Sequence, residues 1–222
     1  QIVAHDPIPA TLGWNMIGGY ENSPSIASLK AANPQITGNV FGFNGVQYVA
    51  ATNLVPGYGY WVKVTSAGNI TIPDAMSKGE GEVVEMIKDD WGRIVITDAA
   101  GISRTLYAVK GEVDLDQYEL PPLPPSGIFD IRFSSGRMAE DINSAIQTID
   151  MVGITYPITV RIEGMDIRLQ DMTGKALNQK LKSGEEIVIG DATIQKLMVT
   201  GQTIPTVYAL EQNYPNPFNP ST

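Results

Sequence analysis

The sequence contains no cysteine and a single histidine, His5, in 222 residues. The first absence removes disulfides, thiolate zinc sites and thiol nucleophiles together. The second leaves only one residue on which a Ser-His-Asp triad could be built, and no Gly-x-Ser-x-Gly elbow lies near it. His5 therefore reads as a solvated linker residue. Basic residues are scarce and scattered, 15 Lys and Arg against 24 Asp and Glu, for a net charge of −9. Without a basic stripe there is no footprint for nucleic acid, and an anionic membrane surface would repel such a chain. No apolar run approaches the roughly 18 residues of a spanning helix, so membrane insertion is not expected. Nor is a cofactor: Gly57-Tyr58-Gly59 lacks the third glycine and helix of a dinucleotide fingerprint and the lysine of a phosphate loop.

What is present is a chain that is 43% hydrophobic, with 22 Gly and 15 Pro placed between short apolar runs. Many short strands joined by turns give this texture. The expectation is an all-β protein of two β-rich modules, the second an immunoglobulin-like β-sandwich, with at most one or two short helices. Residues 1–10 read as a linker or edge strand, because Pro7 and Pro9 cannot sit in a central strand. An aromatic-rich module spans 11–73, the sandwich 74–205, and a Pro-rich linker 206–222. The first boundary is drawn where residues 74–82 lose hydrophobicity and gain charge and Gly. Gln1 follows no Met or apolar leader, which suggests a processed protein, an excised fragment or the ordered part of something longer.

Within the first module, Ser23 to Asn33 predicts a helix, with Ser23 or Ser25 as N-cap and Pro24 in the first turn. Asn44-Gly45 predicts a hairpin between Val40–Phe43 and Val46–Val49. A Pro56-Gly57 turn feeds the strand ending at Val64. In the second module, 93–98 and 103–109 predict a hairpin. The Pro-rich stretch 118–127 predicts an extended, exposed crossing. Strands are expected at Ile128–Phe133, with Phe129, Ile131 and Phe133 on one face, and at Ile158–Ile162, Ile167–Gln170, Glu186–Ile189 and Lys196–Val199. Their spacing, roughly 8–12 residues, is that of a sandwich. Residues 137–152 fit helical spacing through Met138, Ile142, Ala145, Ile146 and Ile149, with an extended run from Ala145 as the rival.

Acidic pairs are the remaining source of chemistry. Asp89-Asp90, Asp114 with Asp116, and Glu185-Glu186 could in principle serve hydrolysis or calcium. Asp114-Leu115-Asp116 lacks the glycine and distal glutamate of a calcium loop. All three read as turns or solvated strand starts, and no catalytic or metal residue is assigned. Aromatic residues form the other concentration: Trp14, Tyr20, Phe41, Phe43, Tyr48, Tyr58, Tyr60 and Trp61 lie within about 50 residues of each other. In a module this small they are expected to supply the core. The competing reading is a binding face for a glycan or peptide built on Tyr58, Tyr60 and Trp61. Strand alternation would send the two tyrosines to one side and Trp61 to the other.

Two stretches resemble known families. Gln212-Asn213-Tyr214-Pro215-Asn216-Pro217-Phe218-Asn219-Pro220-Ser221-Thr222 resembles the opening of the C-terminal sorting domain of type IX secretion cargo in Bacteroidetes and relatives such as Ignavibacteria. Gly13-Trp14-Asn15-Met16-Ile17-Gly18, with Ala51-Thr52-Asn53-Leu54-Val55-Pro56-Gly57-Tyr58-Gly59-Tyr60-Trp61-Val62, resembles an accessory module of such proteins that reads G-W-N-L-I-G … A-T-x-L-x-P-G-x-G-Y-W-V. More loosely, Tyr118–Pro122 and Phe129–Phe133 resemble the β-rich region that precedes the sorting domain. The resemblance implies a secreted, extracellular or cell-surface protein, the type IX machinery as partner through Asn213–Pro220, and further sorting-domain sequence beyond Thr222. It brings no catalytic residue. The expected function is thus a non-enzymatic structural or accessory segment. Glycan or peptide binding is one alternative; self-assembly of a sheath or filament through exchanged terminal strands is the other.

Overall fold

The structure, a computed structural model, describes residues 5–74 and 87–201, so most of the 74–82 boundary and all of the expected sorting motif at Asn213–Pro220 lie outside the described residues. The fold is all-β, with one α-helix and one short 3₁₀ turn among the described residues.

The first module comprises β1 (Ile8–Ala10), β2 (Gly13–Gly18), α1 (Ile26–Ala32), β3 (Ile36–Phe43), β4 (Tyr48–Ala50), β5 (Gly59–Val64) and β6 (Gly68–Ile70). A proline cannot complete a ladder, and β1 joins only β6, with Pro9 opposite Asn69, as the edge-strand expectation requires. The other strands form an antiparallel sheet in the order β2-β5-β3-β4. Ser25, in extended conformation, caps α1 by accepting from the Ser28 amide at 3.1 Å. At the other end, the Asn33 side chain donates to the carbonyls of Leu29 and Thr71 and accepts from the Thr71 amide. This side chain fixes the helix to the segment after β6. Leu29 thereby enters a core with Ile17, Ile36, Leu54, Tyr60, Val62, Val64 and Ile70.

The second module comprises β7 (Gly92–Thr97), β8 (Ser103–Ala108), the 3₁₀ turn (Leu115–Tyr118), β9 (Asp130–Phe133), β10 (Ala139–Glu140), β11 (Gln147–Val152), β12 (Ile158–Glu163), β13 (Ile167–Asp171), β14 (Asn178–Leu181), β15 (Glu186–Ile189) and β16 (Lys196–Thr200). They form two five-stranded sheets, β10-β8-β7-β12-β15 and β14-β13-β16-β11-β9. Ile94, Ile96, Leu106, Val160 and Ile162 of one sheet share a core with Ile131, Phe133, Ile149, Leu169 and Leu197 of the other.

Two expectations are corrected. Residues 137–152 contain no helix: β10 and β11 occupy the ends, and Asp141 holds the turn between them by accepting from the amides of Asn143 and Ser144. The helical spacing fails because Ile146 is 59% exposed, while Ile149 and Met151 alternate into the core. The crossing at 118–127 is not exposed throughout, since Tyr118, Leu120 and Pro121 are buried. On β9 beside this crossing, Asp130 and Arg132 are buried as well. They form a buried two-point ion pair, Nε to Oδ2 at 2.6 Å and Nη2 to Oδ1 at 2.8 Å. The remaining Nη1 donates to the Pro121 carbonyl at 2.8 Å, which holds the crossing against β9.

Candidate functional site

The pleat of the first sheet sorts its aromatic residues. Met16 stands opposite Trp61, Phe41 opposite Trp61, and Phe43 opposite Tyr48, so these side chains share one face. Trp14, two residues from Met16, joins them and meets Phe41 at 6.1 Å between ring centres. Tyr60 points the other way into the core, and its hydroxyl accepts from the Val55 amide at 2.7 Å. Of the eight aromatics noted in the sequence, Tyr60 lies in the buried core cluster with Tyr20 packed against it, and Phe41 is buried on the opposite face of the sheet, so the core expectation holds for only part of the group. That core is filled by aliphatic residues from the sheet and α1. The binding-face expectation is also corrected in part. Tyr58 lies in the turn before β5, 60% exposed, and Tyr60 is buried, so the two do not form one surface; Trp61 does lie on the side opposite Tyr60.

The aromatic face meets the second module. Lys63 pairs with Glu119, and the Gln47 side chain donates to the Ser103 carbonyl at 3.1 Å. Gly38, in the left-handed region at φ 63°, brings its backbone against Gln117; a Cβ there would lie 2.7 Å from the Gln117 carbonyl oxygen. Beside these contacts a groove of about 360 Å³ opens between Met16, Phe43, Tyr48, Gly59 and Trp61 on one wall and Pro124, Pro125 and Ile128 on the other. The Trp61 indole donates to the Tyr48 hydroxyl at 3.2 Å, and the Tyr48 ring meets Phe43 edge-on at 5.9 Å. This network orients the rings while leaving the Tyr48 O–H free to donate. Gly59 adds no side chain to the floor. The groove is an apolar slot with aromatic walls, suited to stacking and to apolar contact. Its Trp61 and Tyr48 were legible in the sequence as aromatic residues. Its proline wall comes from more than 60 residues away, and no local signal couples the two.

The acidic pairs fall into structural roles. Asp114 accepts from the Asp116 amide and from the Gln117 side chain at the start of the 3₁₀ turn. Asp116 pairs with Arg137, which also reaches Glu140. Asp89 and Asp90 lie in the turn before β7, and Glu185 accepts from the Lys182 amide. Asp171 is the most strongly shifted carboxyl. The Thr173 hydroxyl, then the amides of Leu177, Thr173 and Ala176, donate to its charged form and hold it well below the usual carboxylate range. These bonds close the β13–β14 hairpin. His5 stacks on Tyr20 at 3.8 Å and contacts Glu21 at 2.7 Å, at the far end of β1 from any of these carboxylates in sequence. Among the described residues no cluster of His, Cys, Asp and Glu could hold a metal ion. Compared with family models, curated proteins and solved structures, the chain matches none.

Proposed function

We propose that this chain is a non-catalytic accessory segment of a secreted or cell-surface protein, exported by type IX secretion under the direction of Asn213–Pro220. Its role is to space and display what it is joined to, and the second module is read as an immunoglobulin-like sandwich. The carrying structural observation is the joint between the modules: Lys63 with Glu119, Gly38 against Gln117 and Gln47 with Ser103 make a fixed rather than a flexible spacer. Asp114, Asp116, Glu185 and Asp171 are spent on turns and ion pairs, which supports a structural reading. The test is fractionation of a bacterium that carries the type IX machinery, using antibody against this chain. The protein should reach the surface or medium, and should accumulate in the periplasm when the machinery is inactivated. Export that continues without the machinery, or retention in the cytoplasm, would contradict the reading.

A second reading is favoured by the junction groove: Trp61 and Tyr48 with Pro124 and Pro125 form a site for a peptide or glycan. The scarcity of polar groups on its walls favours a proline-rich peptide, since sugars need hydrogen-bonding side chains beside the stacking ring. Titration of tryptophan fluorescence with proline-rich peptides and with oligosaccharides separates the two. Saturable quenching lost in Trp61→Ala supports the site, and no response to either class refutes it.

A further inference from the structure

We infer that the second module carries a self-complementary edge through which two copies of this chain pair, β14 of each against β15 of the other. The four outer strands of the two sheets are unequal. β9 is covered by the crossing bonded to Arg132, and β10 has only two residues. Among the described residues β14 and β15 have no second strand partner, and both lie at the same side of the module. The β12–β13 and β14–β15 turns, which both cross from one sheet to the other, touch: the Ser183 amide donates to Asp166 at 3.0 Å, and the Ser183 hydroxyl accepts from the Gly164 amide at 2.9 Å.

The register fixes which backbone groups face outward. The Ile162 amide donates to the Glu185 carbonyl and its carbonyl accepts from Gly184, so Ile162, Val160 and Ile158 face β15. Ile187 and Ile189 answer them, and the N–H and C=O of Glu186 and Val188 point off the edge. On β13, the Asp171 amide donates to the Leu177 carbonyl, so Leu169 and Ile167 also face β14. Gln179 and Leu181 answer, which leaves the backbone groups of Asn178 and Lys180 pointing outward.

These two open sets match. β14 runs into the 182–185 turn and β15 runs out of it, so the strands are antiparallel. A half-turn about an axis along the strands brings β14 of one copy antiparallel to β15 of the second, and the reverse on the other layer. In the register that pairs outward groups with outward groups, Lys180 faces Glu186 of the second copy and Asn178 faces Val188 of the second copy. Lys180 and Glu186 are exposed, and Val188 is 63% exposed. A lone lysine guards a sheet edge against pairing. Here the same symmetry that pairs the edges sets a glutamate opposite it, twice, and buries Val188 twice.

Sedimentation of the full 222-residue chain tests this. At low salt it should dimerise with a Kd in roughly the micromolar range and dissociate as salt rises. Lys180→Glu and Glu186→Lys should each weaken the dimer at least about tenfold, because each sets like charges opposite one another at both joints. The double variant should restore it to within about threefold of wild type. Val188→Pro removes an outward N–H that β12 does not use, so it should keep the fold by circular dichroism and abolish dimerisation. A monomer at about 0.1 mM, a dimer indifferent to all three single variants, or a double variant no better than the singles would overturn the inference.

Discussion

In the first module the core is aliphatic around Tyr60, and the other strand aromatics stand on the far face of the sheet. In the second module Phe129 and Phe133 sit inside among isoleucine, leucine and valine, while Thr159, Arg161, Arg168 and Gln170 point outward. The difference follows from layer count. Two sheets enclose a core between them and can leave their outer faces polar. One sheet with one seven-residue helix covers only one of its own faces. The other face of the first module is therefore apolar and depends on Gln117, Glu119, Pro124, Pro125 and Ile128 of the second for its neighbours. Aromatic enrichment in this short stretch builds a contact surface more than a core.

The largest loss is expected inside the second module. Phe133 is fully buried, and Phe133→Ala should cost about 3–5 kcal/mol. Denaturant unfolding followed by circular dichroism measures this, and a loss below about 1 kcal/mol would mean that the two sheets do not share that core. At the joint, Gly38→Ala forces a side chain into the left-handed region and against the Gln117 carbonyl. It should cost about 1–3 kcal/mol and raise amide exchange in both β3 and the 3₁₀ turn. Faster exchange in β3 alone would mean that the contact does not couple the modules.

The smallest effect at neutral pH, and the most pH-dependent, belongs to Asp171. Its folded carboxyl sits below its unfolded value, so its contribution is complete above the ordinary carboxylate range near ~4 and is lost as pH falls through the folded value. Asp171→Asn should lower the thermal midpoint at neutral pH and flatten its fall in acid. Parallel acid curves for wild type and variant would contradict that assignment.

Much of the fold was legible. Ser25 marked the N-cap of α1, although Pro24 precedes that cap instead of lying in the first turn; β-branched residues marked β7 and β12, and the apolar alternation of Ile167 and Leu169 marked β13. β14 was missed because Asn178-Gln179-Lys180-Leu181 carries no β-branched residue and only one apolar side chain. The helix expected over 137–152 rested on apolar spacing that the Asp141 turn interrupts. For the site, alternation placed Tyr60 and Trp61 on opposite faces but could not say which face lies inward. That choice is made by β2 and β3 pairing on either side of β5 and by α1 packing over Tyr60, contacts that lie far apart in sequence. The stretch expected to act as a sorting motif, Asn213–Pro220, lies outside the described residues.

The two faces of the first sheet do different work, and paired substitutions on adjacent residues of β5 separate them. Thermal and denaturant unfolding of Tyr60→Ala and Trp61→Ala should differ sharply. Tyr60, 5% exposed and bonded to Val55, should cost about 3–5 kcal/mol. Trp61, half-buried at the groove, should cost less than half as much and leave the module folded. Equal losses, or a larger loss at Trp61, would return the aromatic residues to the core.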